Sequence, residues 1–558
     1  MLTLKYPSQR LAHPFFISML IFFLLQITYG LTMAWQQVDP FFLQGILNFN
    51  VNRSTHVNLA VVWVLTGLIG ALLYMGPILA GRDVGRAWLT RLLLIVIWAN
   101  VLWTAVAMTF AQVGNAGWAF GQPWFQEGLE FLEAGRITDI FLWIGFMIVA
   151  YLILRIFRNV RTWTEIHWAL AVGVLGLVVF WAFGMFFIPA LDLQEYFRWF
   201  VIHYWVEAIW EILYVGLVGF LLLALFGGDR KVIGIAVFWG MLLAVMSGLI
   251  GNGHHYFWIG TPSFWQFWGS LFSALEPLPI ILGIWHVFLH PSRTGRRPAN
   301  RAAFYFLFGS SLFEVVGAGI LGFTQGFAVT NVWEHGTWIT PAHGHLALFG
   351  TFGMLAVAAA YAVIPQIKGI TRTDDRLSRT GFWLILAGIL GMVLSFGLGG
   401  TVEVYIYRVL AVEWFGAVVR PAMAIWKVLL FTFGSVFALG VLAVSYDLFT
   451  LRQLPAGVES ASPSTSWWRK PLTALEMGIW LAVLWIIGLV LTAALLVNNL
   501  PSVRAGDPTI PYVLAGIGYP ALVLTTAVFA VRFLRACDVQ AMAASGAQGR
   551  TMMDPGPS

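Results

Sequence analysis

The chain has 558 residues, of which 59 % belong to the hydrophobic set and only 10 % are charged, and its mean hydropathy is +0.82. A soluble domain is about 25 % charged, so this composition excludes a soluble multidomain enzyme, a disordered chain and a secreted disulfide scaffold. The single cysteine, Cys537, leaves no internal disulfide and no cysteine-ligated cluster. A net charge of +6 on such a chain bears on membrane orientation and not on nucleic-acid binding, and no nucleic-acid partner is expected.

The apolar runs are about 20 residues or longer, the length a helix needs to cross a bilayer. Fourteen are predicted, at 14–36, 56–80, 87–111, 138–157, 165–188, 200–227, 232–257, 263–290, 302–326, 338–365, 379–399, 421–448, 472–498 and 510–534. The expected class is therefore an all-α polytopic membrane protein. The first run is too long, and its flank too acidic and aromatic after Met33-Ala34-Trp35, for a cleaved signal. The connection 451–471 contains Pro455-Ala456-Gly457 and Ser462-Pro463-Ser464 and reads as a linker. It divides a bundle over 1–450 from a two-helix membrane hairpin over 472–536, with a flexible tail over 537–558.

Basic residues concentrate in alternate connections. Arg82 and Arg86, Arg155, Arg158 and Arg161, Arg293, Arg296 and Arg297, and Lys368, Arg372 and Arg376 fall on one side together with Lys5 and Arg10. Arg53, Arg136, Arg198, Arg408, Arg420 and Arg504 are the sparser set on the other. The bias puts both termini in the cytoplasm of a bacterial-type inner membrane.

Ionisable groups inside spans are costly and mark function. Of eleven histidines, His13, His167, His286, His290 and His335 fall near span ends or in loops, where an interfacial, hydrogen-bonded imidazole is the ordinary reading. The other six share one depth in the outer half of the bilayer. His56 starts the second span, His203 lies in the first turn of the sixth, His254 and His255 end the seventh, and His343 and His345 lie early in the tenth. Imidazole is the commonest metal ligand, and a metal or haem layer requires such a shared depth. His343 and His345 are two apart and point roughly 200° away from each other on a helix. They can hold two planar cofactors on opposite sides, with Gly344 leaving room for a large ring. His203 and Glu207 are four apart on one face, and Glu211 is a turn further on. With His254 and His255 they make three imidazoles and a carboxylate, a set hard enough for non-haem iron. Glu276, before Pro277, is a further acid in a span with a proton-handling or ligand-supporting role.

These stretches resemble a known family. Asn50–Asn58 with His56, His203–Glu211, Gly251–Gly260 with His254 and His255, Ser273–Pro279 with Glu276, and His335–His345 are similar to the catalytic subunit of the cytochrome c-dependent nitric oxide reductases, within the haem–copper oxidase superfamily. The resemblance covers residues ~10–450. It implies a twelve-helix haem–copper oxidase-like bundle, to which this chain adds two C-terminal transmembrane helices. It implies His56 and His345 as axial ligands of a low-spin haem b and His343 as the proximal ligand of a high-spin haem b. It implies His203, His254, His255 and Glu207 as ligands of a non-haem iron, and Glu211 and Glu276 as acids beside it. In Leu129–Glu133, Glu130 and Glu133 resemble the family's paired glutamates, which implies Glu130 as a ligand of a calcium ion bridging the haem propionates, with Arg53 as a propionate partner.

The implied reaction is 2 NO + 2 e⁻ + 2 H⁺ → N₂O + H₂O, with electrons from a c-type cytochrome subunit. This chain has no CxxCH motif and no span before residue 14 that would replace such a subunit; a quinol donor is the alternative. Two rival functions stand beside this one, a haem–copper terminal oxygen reductase and a non-enzymatic haem-carrying membrane protein. Oxygen reducers use copper with three histidines and a tyrosine four residues after the first. Here that position is Glu207, and a carboxylate suits iron better than a copper cycling through its soft Cu(I) state.

Overall fold

The computed structural model describes residues 4–112, 135–186, 188–226, 229–276, 278, 281, 300–371, 373–412, 419–453 and 472–551. Every regular element among them is helical. Thirteen helices are long and apolar enough to cross a membrane. They are α1 (Pro7–Val38), α2 (Phe49–Ala80), α3 (Ala87–Met108), α4 (Gly135–Phe157), α5 (Glu165–Gly184), α6 (Leu191–Leu225) and α7 (Arg230–Tyr256). After a shorter α8 (Phe264–Leu275) come α9 (Arg301–Gln325), α10 (Ile339–Lys368), α11 (Arg376–Val409), α12 (Pro421–Thr450), α13 (Ala474–Asn499) and α14 (Thr509–Ala536). The predicted eighth span, 263–290, is described as a helix only through α8, and most of its remainder lies outside the described residues. The protein is a multi-pass membrane protein.

α2, α6, α9 and α10 are buried along most of their length, while α3, α7, α13 and α14 keep one face outward. A helix that is apolar all round belongs inside a large bundle. The central helices are also where the backbone departs from regularity. Tyr204–Trp210 in α6, Glu314–Leu321 in α9, His345–Gly353 in α10 and Val404–Val409 in α11 are wound as π-helix. Such turns are rare and gather at functional sites.

α6 begins at Leu191, nine residues before the predicted span. Its first turns are polar (Asp192, Gln194, Glu195, Arg198), so hydropathy does not register them while the backbone bonding continues through them. His203 therefore lies twelve residues into its helix and not in the first turn.

From residue 472 onward the described chain forms two long helices, α13 and α14. α13 and α14 pack on each other; α14 lies along α11, and α13 lies against the π-helical stretch of α9. Gly488 of α13 permits this approach, since a Cβ there would come within 2.7 Å of Ile320. Phe308 and Phe533 stack at 4.4 Å between centroids. The Arg532 guanidinium, almost fully buried, pairs with both Glu476 oxygens at 2.9 and 3.0 Å.

Candidate metal centre

The π-helical turn after His203 carries Glu207. Its Oε2 lies 3.3 Å from His203 Nδ1, and its Oε1 lies 3.5 Å from His255 Nε2 and 3.9 Å from His254 Nε2. His255 Nε2 is 3.1 Å from His203 Nδ1. Ligand atoms held about 2.1 Å from one ion stand roughly 3–4 Å from one another, so these four side chains fit a single ion. All four donor atoms lie within 4.8 Å of one another. His254 and His255 reach the cluster because α7 tightens into a 3₁₀ turn over Gly251–Tyr256. Gly253 and Gly269 then let α8 cross closely, a Cβ at Gly269 coming within 2.5 Å of the Gly253 carbonyl carbon. The His255 ring stacks on Trp199, with centroids 4.4 Å apart and planes 8° apart. Tyr256, next in sequence, turns away and bonds to Asn252 at 2.5 Å and to the Tyr196 carbonyl at 3.0 Å.

The remaining three histidines of the six are each tethered through Nδ1 to a backbone carbonyl. The distances are 3.0 Å from His56 to Gln26, 2.9 Å from His343 to Gly317 and 2.7 Å from His345 to Pro341. A tether of this kind fixes the tautomer and leaves Nε2 of His343 and His345 for a metal, while at His56 the Gln26 side-chain amide also stands 3.2 Å from Nε2. His56 and His345 face each other with centroids 6.2 Å apart. Two imidazoles on opposite sides of one iron, each nitrogen at about 2 Å, stand roughly 6 Å apart by the same measure. Gly30 makes room for the His56 ring, since a Cβ there would come within 2.7 Å of it. Gly344 faces open space within 4 Å, as the room for a large ring between His343 and His345 requires. His343 is on the opposite side of α10 and within electrostatic reach of His254. The donor set and its spacing thus fit two haems and one non-haem metal.

Two acids lie beside the cluster. Glu276 is buried and accepts a hydrogen bond from Ser247 Oγ, and it neighbours the carboxyl group of buried Glu211. Arg53 is partly buried one turn before His56 on α2. Glu130 and Glu133 lie outside the described residues. His167 is a structural histidine that joins the Thr164 hydroxyl at 2.8 Å to the Leu79 carbonyl at 3.2 Å.

Sequence reasoning alone misses Glu314, Trp199, Gly30 and Glu334. Glu314 carries the same signal as Glu276, a lone acid in an apolar run. Trp199 and Gly30 carry none, because their roles depend on which helices become neighbours.

Residues 10–436 match the family model described as cytochrome c and quinol oxidase polypeptide I. The chain belongs to this family. The match contains every ligand candidate from His56 to His345 and ends before α13. Among the curated relatives of this oxidase-family chain is a nitric oxide reductase subunit from Stutzerimonas stutzeri, 32 % identical over 476 residues, which are 83 % of this chain and 98 % of that protein. Among solved structures, a haem–copper terminal oxidase dimer determined by cryo-electron microscopy aligns with a TM-score of 0.58 at 14 % identity. That alignment covers 92 % of this chain and 99 % of that one, and it shows a shared fold.

Proposed function

We propose that the chain is the catalytic subunit of a nitric oxide reductase, carrying out 2 NO + 2 e⁻ + 2 H⁺ → N₂O + H₂O. The observation that supports this best is Glu207 among three histidines, a hard oxygen donor where a copper site would want soft or imidazole ligands only. The likeness to the Stutzerimonas stutzeri reductase chain over nearly all of its length supports the same reading.

In this reading His203, His254, His255 and Glu207 hold a non-haem iron. His343 holds a high-spin haem b, and His56 and His345 hold a low-spin haem b. When bound, the paired irons supply two adjacent sites where two NO molecules meet and where developing negative charge is stabilised. The protein's own groups do the rest. Nδ1 tethers hold the imidazoles in register. Trp199 fixes the His255 ring. Glu211 and Glu276 hold and pass the protons consumed with each turnover, with Ser247 orienting the Glu276 carboxyl. The family resemblance would make Glu130 a calcium ligand and Arg53 a partner of a haem propionate. Electrons come from a separate c-type cytochrome subunit. The charge pattern of the connections supports cytoplasmic termini, in a bacterial inner membrane, and metal sites in the outer half.

The test is metal and haem analysis of the purified complex with the Glu207→Ala variant beside it. Two b haems and one non-haem iron are expected per chain, without copper. The variant is expected to lose non-haem iron and NO consumption while its low-spin spectrum stays. Copper in the wild type, or full turnover by the variant, removes this reading.

A further inference from the structure

One more carboxyl group lies under the cluster. Glu314 opens the π-helical stretch of α9 and is 1 % exposed. Among the described residues it is the one carboxyl with both oxygens buried and neither in a well-formed hydrogen bond. It stands at about the middle of α9, thirteen residues after Arg301 and eleven before Gln325. The titratable groups facing it are Glu211, Glu276 and Tyr214. From α10 the buried Thr351 hydroxyl lies alongside and is the side-chain hydrogen-bonding group next to the Glu314 carboxyl. One oxygen each of Glu211 and Glu276 is likewise buried without a well-formed hydrogen bond. The hydrogen bonds among these carboxyl and hydroxyl oxygens are not well formed, and buried polar groups of this kind are ordinarily bridged by ordered water, which needs two to four polar partners.

The polar column ends just beyond. Ser310 Oγ is 3.3 Å from Tyr214 OH and 2.7 Å from the Thr351 carbonyl. A hydroxyl has one hydrogen, so Ser310 donates to the carbonyl and the phenol donates to Ser310. After Tyr214, residues Val215–Leu225 of α6 carry no polar side chain. That is roughly 16 Å of helix at 1.5 Å per residue. Opposite them, Phe306, Leu307 and Phe308 of α9 and Met354–Ala360 of α10 are buried and apolar. The next polar pair in that direction, Tyr361 with Asp447 at 2.9 Å, is ten residues of α10 past Thr351. Among the described residues, the polar groups next to Glu314 lie on the metal-cluster side and apolar side chains line the other side.

A bare carboxylate without solvent or partner is very costly to bury, so its retention in this place calls for a use. We propose that Glu314 is a proton store for the NO-reducing centre, exchanging one proton with Glu211 through bridging water. This rests on the proposed function. In each cycle an O–H bond of the Glu314 carboxyl breaks, its proton passes along water to Glu211, and the resulting carboxylate is reprotonated by the same route. The store returns to its starting state and the overall reaction stays balanced. Glu314 acts through Glu211 and is a positioning residue.

The experiment uses the whole complex with Glu314→Gln and Glu314→Asp. Redox-difference infrared spectra are recorded in H₂O and D₂O by poising the haems electrochemically without NO. Proton uptake is followed by a pH dye when the fully reduced protein meets NO. Glu314→Gln is expected to keep haem and iron content, to lose one carboxyl C=O band that shifts in D₂O, and to slow proton uptake by about tenfold or more. Glu314→Asp is expected to keep a shifted band and lie within about twofold of wild type. An unchanged band pattern with wild-type uptake in the Gln variant overturns the store. So does equal slowing in Gln and Asp, which is what a purely structural side chain would give. If the wild type does not reduce NO, the function fails while the infrared band still decides whether Glu314 exchanges a proton.

Discussion

Trp199 and His255 lie nearly parallel, with ring planes 8° apart and centroids 4.4 Å apart. Trp199 is on the polar first turns of α6, beyond the apolar run, and His255 is on the last turn of α7. The stack therefore ties two helix ends together at the cluster. Partners that orient a ligand are worth about 10–100-fold in metal affinity. Trp199→Ala is expected to lower retained non-haem iron, measured against haem during dialysis with a chelator, while the low-spin spectrum is unchanged.

Gly30 sets the opposite side of the bundle. A methyl group there would enter the His56 ring at 2.7 Å, far inside contact distance. Gly30→Ala is expected to displace His56 and to abolish or convert the low-spin signal in the reduced-minus-oxidised spectrum. Iron at the His203 cluster is expected to remain, because its ligands lie on α6 and α7. Loss of both metals together would show that the two sites do not assemble independently.

Glu334, between α9 and α10, predicts a pH dependence. It is 1 % exposed, and burial pushes its carboxyl up to about 8. Hydrogen bonds from Asn331 at 3.0 Å and Thr340 at 3.2 Å oppose the rise in part. The folded value is above the ordinary carboxyl value of 4.5. The neutral form therefore favours the fold, with full effect below about 4.5, and the benefit is lost as pH rises through about 8. A tenfold change in proton affinity is worth about 1.4 kcal/mol, so the effect is on the order of a few kcal/mol. The thermal midpoint of the wild type is expected to fall more between pH 6 and pH 9 than that of Glu334→Gln. Parallel curves would remove Glu334 as the cause.

The Arg532–Glu476 pair predicts how the C-terminal hairpin is held. Removing one member of a buried pair leaves the other uncompensated, at roughly 3–5 kcal/mol. The part-exposed Glu476 makes Glu476→Ala the cleaner change, since it strands the buried Arg532. A lower thermal midpoint is expected, with haem content and NO turnover close to wild type at low temperature. Loss of haem in this variant would give the hairpin a part in cofactor assembly.

Much of the centre can be read from residue order alone. All six histidines lie near an end of an apolar run in the sequence, and run ends are visible as changes in hydropathy. The opposed directions of His343 and His345 follow from a two-residue step on any helix. What cannot be read depends on the third dimension or on irregular backbone. The four π-helical turns have no compositional mark, and one of them carries Glu207. His203 lies deeper in its helix than hydropathy predicts because α6 runs on through Asp192, Glu195 and Arg198. The docking place of the hairpin is set by small residues such as Gly488, whose neighbour Ile320 is far away in the chain.

That docking place has a consequence for the backbone. A widened turn leaves carbonyl groups without their usual intrahelical donors, and hydrocarbon tolerates such groups only behind a protein screen. α13 stands in front of the widened part of α9, so acyl chains are kept from one of the least regular stretches of this membrane segment. The two added helices act as a local shield, and through it the segment can keep the irregular winding that starts at Glu314.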